Sequence, residues 1–371
     1  MEMSSPRRHV NQQEMELTGI DRCVDLVKDK EKRSSVDDKS SLSIGVCLAI
    51  LTGVLLAPSP ASGQKTNDDA NRFVTAWGDP DLQGTWTNTT STNLERPTAL
   101  VNLEFVTDEL RAQVAAEAAR YVDLPPPPGQ TGAYNSFWLD QGELSQRTSL
   151  ILEPRDGKLP ALTPQAQHRA DDFTERWLAP PESWHDMSLY DRCITRGLPG
   201  AMIPGFYNHN YLILQTPDYV VLQVEMIHDT RIIPLTARPR VGANIRQWLG
   251  DARAHWEGDT LVVETTNFTG KSEQRTAMGP FFLTLSTGKN LNLVERFTRI
   301  DSETMDYQFT VNDPTVYTKK WTAATPMRKT QDALFEYACH EGNYGLYNIL
   351  AGARAQEREV GAPTQTGGAG N

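Results

Sequence analysis

Three pairs of short apolar runs, each pair joined by a turn of three or four residues, dominate the second half of the sequence. The paired runs span residues 211–215 and 219–226, 253–256 and 260–265, and 291–300 and 305–311. Runs of this length around Thr-Pro-Asp, Glu-Gly-Asp and Asp-Ser-Glu-Thr turns predict β-hairpins. Two further strands are predicted at residues 316–325 and 333–339. The second half is therefore predicted to be an antiparallel meander.

Side-chain alternation along the run from residue 291 to residue 300 indicates how this meander closes. Leu293, Glu295 and Phe297 share one face, whereas Val294 and Arg296 share the other. Because both faces mix apolar and charged side chains, the pattern favours a closed sheet with a polar interior over a sheet with one wet side. The predicted fold class is mainly β, a barrel or curved sandwich with a few peripheral helices.

Helices are predicted near residues 107–122, 164–178 and 347–359. Thr107 and Thr163 stand where N-caps are expected, and Pro164 occupies the first helical position. No internal repeat divides the chain. A single β-rich domain is therefore predicted over residues 64–360, followed by a disordered Gly- and Thr-rich tail at 361–371.

The N-terminal region predicts export. Residues 41–63 contain about 16 consecutive apolar residues and end in small residues and prolines, which is typical of a signal peptide. A membrane anchor is the alternative, but ~20 apolar residues are needed to span a bilayer. Residues 1–40 are polar and aperiodic, so we interpret them as a disordered extension or an early start site. The predicted location is periplasmic or secreted, without stable membrane insertion after cleavage.

Only Cys193 and Cys339 remain in the chain after this cleavage. Two cysteines in an oxidising compartment predict a disulfide. The alternative is a pair of buried free thiols.

Charge limits the partners. The formal net charge is -11, and no run of Lys and Arg stands out. A nucleic-acid backbone would be repelled on average, so nucleic acid is excluded as an expected partner. A small-molecule or glycan ligand is expected instead.

Several segments resemble those of an uncharacterised family of exported bacterial proteins. They are YDRCITRGLPG, EMIHDTRIIPL, GDARAHWEGDTLVVETTNF, VNDPTVYTKKW and EYACHEGNYGL. The resemblance covers residues 81–357 and implies export and the extent of the domain, but no particular activity. It also implies that Arg196, Arg231, Arg253, Trp256 and residues 339–341 belong to a shared pattern. Ala252 departs from the Ser that is common in this family, so a hydroxyl there is not required.

A Gly-x-Trp sequence, Gly84-Thr85-Trp86, opens the first predicted strand. It resembles the start of calycin (lipocalin-like) barrels, in which this Trp closes the barrel floor. The alternative is an ordinary tryptophan on a core strand.

His228 and Arg231 lie together at the end of a predicted strand. A histidine near its ordinary pKa can act as base or acid, and an arginine can clamp a carboxylate or a developing oxyanion. A hydrogen-bonded turn with a local ion pair is the alternative. Arg253 is assigned to the same predicted clamp.

His340 follows Cys339 directly, so a disulfide to Cys193 would bring His340 and Glu341 beside Arg196. A histidine, a carboxylate and an arginine form a set that can abstract a proton next to a carboxylate. The predicted catalytic residues are His228, His340 and Glu341, with Glu341 orienting His340. A structural ion-pair cluster is the alternative.

Tyr207 and His209 lie in a polar turn that resembles a sugar-binding surface, although a surface loop of a β protein looks much the same. The predicted substrate-binding residues are therefore Arg196, Arg231, Arg253, Tyr207 and His209.

No metal-binding, nucleophile-elbow or phosphate-loop motif occurs, so no cofactor is expected. The sequence favours an exported acid/base enzyme, a lyase or hydrolase, that acts on a small organic or carbohydrate substrate. A calycin-like protein that binds a small apolar or amphipathic ligand and a non-catalytic interaction protein of the cell envelope are the alternatives.

Overall fold

The computed structural model describes residues 73–119, 140, 142–205, 207–235, 238–271 and 288–361. The predicted extension at 1–40, the predicted signal peptide at 41–63 and residues 362–371 of the tail lie outside this part of the chain.

Ten antiparallel strands form one sheet within the described residues. They are β1 (Gly84–Thr87), β2 (Ile151–Glu153), β3 (Asn210–Gln215), β4 (Tyr219–Val224), β5 (Thr230–Pro234), β6 (Asp251–Glu257), β7 (Thr260–Thr266), β8 (Asn292–Arg299), β9 (Thr304–Asn312) and β10 (Trp321–Thr330). The order across the sheet is β5-β4-β3-β1-β10-β9-β8-β7-β6, and β2 pairs with β10. The two end strands, β5 and β6, approach each other, so the sheet is nearly closed into a barrel. The mainly β prediction is confirmed.

The three predicted hairpins are present as β3–β4, β6–β7 and β8–β9. The strand predicted at 316–325 is wrong over its first part, because Val316 and Tyr317 donate their backbone N–H groups to the Asp313 carbonyl at 3.0 and 2.9 Å and turn the chain. The strand predicted at 333–339 is also wrong. Its preceding strand, β10, already has β1 and β9 on its two sides, so no free edge adjoins it.

Three α-helices lie outside the sheet in the described ranges: α1 (Asp108–Ala118), α2 (Pro164–Leu178) and α3 (Tyr344–Gly361). The Thr107 hydroxyl accepts from Leu110 N at 3.2 Å, and the Thr163 hydroxyl accepts from Ala166 N at 3.2 Å, as an N-cap requires. Helix α3 begins three residues earlier than predicted because the Asn343 side chain caps it, accepting from Leu346 N at 3.1 Å. None of these helices has the length and apolar character needed to cross a membrane.

Aromatic side chains fill the inside of the sheet. The largest fully buried ones include Trp86, Tyr211, Phe297, Tyr307 and Trp321. The Phe297 and Tyr307 rings lie 4.8 Å apart, a contact that adds to the free energy gained from burying their area. The described interior is therefore a packed core.

The interior also contains one buried ion pair that crosses from β5 to β8. Arg231 donates two hydrogen bonds to Glu295, at 2.9 and 2.5 Å, and the Tyr307 hydroxyl donates to the same carboxylate at 3.0 Å. Glu295 is fully buried. The mixed faces of β8 are explained in this way, because Glu295 points inward to Arg231 while Arg296 points outward to Glu257.

Candidate functional site

A disulfide joins Cys193 to Cys339, with their Cα atoms 5.6 Å apart. This confirms the predicted pairing. The bond fastens residues 333–339, here called the strap, to the segment before β3. Asn343 strengthens the attachment because its side-chain amide donates to the Asp191 carbonyl at 2.8 Å.

A cleft of about 550 Å³ opens beside this disulfide, and we call it the disulfide cleft. One wall is the strap, and the other comes from the segment before β3 and the turn after β4. The side chains that matter chemically are those of Tyr190, Asp191, Arg196, Tyr207, His209 and Glu336. Its volume is within the usual range for a small-molecule site.

Arg196 is the main positive group of the disulfide cleft. Its guanidinium donates to His209 Nε2 at 3.3 Å and lies 5.3 Å from the centre of the Tyr190 ring. No carboxylate of the described residues forms an ion pair with it. Asp191 lines the same cleft, but one of its carboxylate oxygens accepts from the Ser188 backbone and hydroxyl at 3.2 and 2.6 Å. Arg196 therefore makes no direct ion pair among the described residues, although the carboxylates of Asp191 and Glu336 line the same cleft.

His209 positions the Arg196 guanidinium by accepting a hydrogen bond from it. Its side chain is buried, with the residue only 2% exposed, and burial followed by the charge of Arg196 keeps its pKa well below the ordinary value. Because a guanidinium only donates, Nε2 must accept and the proton must be on Nδ1. Gly205 allows this approach, since a Cβ atom there would lie 2.2 Å from His209 Nε2.

His228 lies in a strained turn after β4. The turn spans Met226–His228, and both Ile227 and His228 have positive φ, at 62° and 48°. Positive φ is unusual for any residue but glycine, and for a β-branched one above all, and such conformations concentrate at functional sites. His228 Nδ1 lies 3.2 Å from the Tyr337 carbonyl of the strap, so it must donate the proton. This leaves Nε2 with a lone pair, and the residue is exposed.

A second cleft of about 600 Å³ is lined in part by His228, and we call it the outer cleft. Its floor is the outer face of the sheet, where Thr85, Leu212 and Gln223 stand side by side on β1, β3 and β4. Residues 333–336 of the strap cover it. Glu225 lines its edge, 3% exposed, and accepts amide hydrogens from Asn208 and Asn210 at 2.8 and 2.6 Å.

The carboxyl group of Asp229, next to His228, has a pKa that is shifted from its ordinary value. Burial raises the pKa of its carboxyl, while the Thr195 hydroxyl, which donates at 2.8 Å, and His228 act in the opposite direction. The carboxyl thus connects the turn after β4 to the segment that carries Arg196.

The predicted site residues separate into two groups. Arg196, Tyr207 and His209 line the disulfide cleft, and His228 lines the neighbouring outer cleft. Arg231 does not join them, because it is buried inside the sheet with both terminal nitrogens bonded to Glu295. Its predicted role as a substrate clamp therefore receives no support.

Arg253, His340 and Glu341 also lie apart from the cleft linings. Arg253 is on the outer face of β6 and donates to Asp251 and to the carbonyls of residues 238 and 239. His340 and Glu341 are exposed, and no hydrogen bond or ion pair to either side chain is found among the described residues. The predicted pairing of Glu341 with His340 is therefore not seen.

The sequence did not single out Thr85, Gln223, Glu225 or Glu336. A weak signal was available at Glu225, a carboxylate that directly follows the apolar run of β4. No group of three His, Cys, Asp or Glu residues in the described part of the chain is placed to hold a metal ion.

The sequence matches no protein-family model, and no curated protein is significantly similar to it. The resemblances to the exported bacterial family and to calycin barrels therefore stay predictions. The fold itself defines a nearly closed antiparallel sheet with two clefts on its outside.

Proposed function

We propose that this chain is an exported protein that binds a small acidic ligand, an organic acid or an acidic sugar, in the disulfide cleft. The observation that carries the proposal is Arg196, a half-buried guanidinium without a carboxylate partner among the described residues. Removing such a charge from water is costly unless it is paired, and a guanidinium matches a carboxylate in a two-bond geometry.

The two tyrosines of the cleft complement this charge. The Tyr190 and Tyr207 hydroxyls lie 3.3 Å apart, and their rings border the space in front of Arg196. Phenol groups can bond ligand hydroxyls while their ring faces pack against C–H groups. A calycin-like ligand inside the barrel has less support, because aromatic side chains and the Arg231–Glu295 pair occupy the described interior.

Export belongs to the same proposal. The Cys193–Cys339 disulfide supports it, because disulfides persist in oxidising compartments. Mass spectrometry of the secreted protein tests it, and a product that retains residues 41–63 would contradict it.

Replacing Arg196 tests ligand binding. Titration calorimetry with D-glucuronate is expected to show binding to the intact chain and at least a tenfold loss of affinity in Arg196→Gln, because about 1.5–3 kcal/mol is typical for a bond to a charged group. Arg192→Gln is the matched control. Arg192 is a nearby arginine that stacks on Trp184, at 4.5 Å, and does not line either described cleft. Equal affinities for the wild type and Arg196→Gln would reject the site.

Acid/base catalysis is the second candidate function, and His228 is the observation that favours it. The strap carbonyl of Tyr337 fixes its tautomer, which leaves Nε2 as a base in the outer cleft, the neighbour of the cleft that contains Arg196. The base would remove a proton next to the ligand carboxylate, and Arg196 would stabilise the negative charge that develops on the carboxylate.

Proton exchange in D₂O tests this candidate. NMR is expected to show loss of the C5 proton signal of a bound uronate with the wild type and no loss with His228→Ala. His340→Ala, an exposed histidine without side-chain contacts among the described residues, is the comparison and is expected to keep the exchange. Exchange that survives in His228→Ala would remove His228 from the mechanism.

A further inference from the structure

The disulfide cleft and the outer cleft meet along both of their walls. On the sheet side, Glu225 lines the outer cleft and its neighbour Met226 lines the disulfide cleft. On the strap side, residues 333–336 line the outer cleft and residues 336–339 line the disulfide cleft, so that Glu336 belongs to both. The two clefts are therefore neighbours beneath the strap, with the contact between His228 and the Tyr337 carbonyl joining their linings, and together they are called the groove.

The two ends of this groove differ in charge. The disulfide cleft is lined by the guanidinium of Arg196 together with the carboxylates of Asp191 and Glu336, whereas the described lining of the outer cleft has the carboxylates of Glu225 and Glu336 and no lysine or arginine. A second negative charge on the ligand would be repelled at the outer end. The groove thus suits a ligand that is acidic at one end and uncharged at the other.

The outer cleft has the features that an uncharged sugar needs. Phe335 is 71% exposed, and with Leu212 it offers apolar surface to the C–H face of a pyranose ring. Thr85 and Gln223 stand on either side of Leu212 across the sheet. Their side chains make no hydrogen bond within the described residues, so both are available for ligand hydroxyls.

We infer that the ligand is an acidic oligosaccharide, with its uronate unit at Arg196 and one or more neutral sugar units in the outer cleft. This inference rests on the proposed function, because it assumes that Arg196 binds the carboxylate. It adds that the outer cleft supplies affinity of its own, so a longer ligand binds more tightly than its acidic unit alone.

Calorimetry with three probes tests the inference on the intact, disulfide-bonded chain. The probes are D-glucuronate, xylotriose and the acidic tetrasaccharide in which glucuronate is attached to xylotriose. The tetrasaccharide is expected to bind at least tenfold more tightly than glucuronate. Phe335→Ala and Gln223→Ala are expected to remove most of this advantage while leaving the affinity for glucuronate unchanged, whereas Arg196→Gln weakens both acidic probes.

Phe105→Ala is the matched control, since Phe105 is another exposed phenylalanine and lies outside both described clefts. A tetrasaccharide that binds no more tightly than glucuronate would overturn the inference and leave the acidic site intact. Equal weakening of both acidic probes by Phe335→Ala would overturn it too, because the effect would then be structural. If neither acidic probe binds, the proposed function itself fails.

Discussion

At the scale of single residues, the disulfide cleft depends on three groups that are close in sequence. Gly205 leaves room for the His209 ring, and His209 accepts a hydrogen bond from Arg196. The neutral imidazole thereby directs the guanidinium without cancelling its charge. His209 is accordingly a positioning residue for Arg196, the group proposed to bind the ligand.

This arrangement makes stability depend on pH. Burial, together with the charge of Arg196, holds the pKa of His209 well below its ordinary value of 6.5. As the pH falls below this ordinary value, the unfolded chain takes up a proton that folded His209 does not. The free energy of unfolding is therefore expected to decrease as the pH falls below 6.5, by up to about 1.4 kcal/mol per pH unit.

Urea unfolding between about pH 7.5 and about pH 5 measures this effect as a slope of the unfolding free energy. His209→Gln keeps a hydrogen-bond acceptor for Arg196 but cannot be protonated, so a shallower slope is expected. His340→Gln, which replaces an exposed histidine, is expected to keep the wild-type slope. Identical slopes in His209→Gln and the wild type would argue against the buried neutral histidine.

At the scale of elements, the sequence predicted what is local. The three hairpins were predictable because their turns and their alternating side chains lie within each pair of strands. The same holds for α2, whose cap residue and first-turn proline are adjacent. The apolar composition of the strap favours a β-strand. Whether such a segment pairs with a sheet depends on a free strand edge next to it, which the local sequence does not reveal.

The candidate site was predictable only in part, for a related reason. The predicted disulfide correctly placed the strap next to the segment that contains Arg196. It could not indicate which way His340 and Glu341 face, because adjacent residues point in different directions. Thr85 and Gln223 were not predicted as site residues, because only the pairing of β1, β3 and β4 places them next to each other.

At the scale of the whole molecule, the Arg231–Glu295 pair connects opposite parts of the nearly closed sheet. Arg231 is on β5, an end strand, whereas Glu295 is on β8, several strands away around the sheet. Burial acts to lower the pKa of Arg231, but the charge and hydrogen bonds of Glu295 outweigh it and leave the pKa raised. Burial and Glu295 also raise the pKa of Tyr307.

Removing only one partner of this ion pair is expected to destabilise the folded protein strongly. Arg231→Met leaves the Glu295 carboxylate buried without its partner, which should lower the free energy of unfolding by about 3–5 kcal/mol. The double variant Arg231→Met with Glu295→Leu removes both charges and should recover most of the loss. Urea unfolding at neutral pH provides the measurement.

Arg328→Met serves as the reference for an exposed pair. Arg328 bonds Glu143 at 2.8 Å, but both side chains are exposed, so a change of no more than about 1 kcal/mol is expected. A loss in Arg231→Met as small as this would mean that the variant does not leave Glu295 as a buried, unpaired charge.

The position of the disulfide along the chain affects how the protein responds to proteolysis. Cys193 precedes β3 and Cys339 follows β10, so the covalent loop of 146 residues encloses eight of the ten described strands. A protease that cuts a single connection inside this loop leaves both pieces joined through sulfur. Such a nicked molecule keeps its full mass on a non-reducing gel and separates into two fragments only after a reductant is added. One cut between β3 and β10 would therefore not detach any strand from the rest of the molecule.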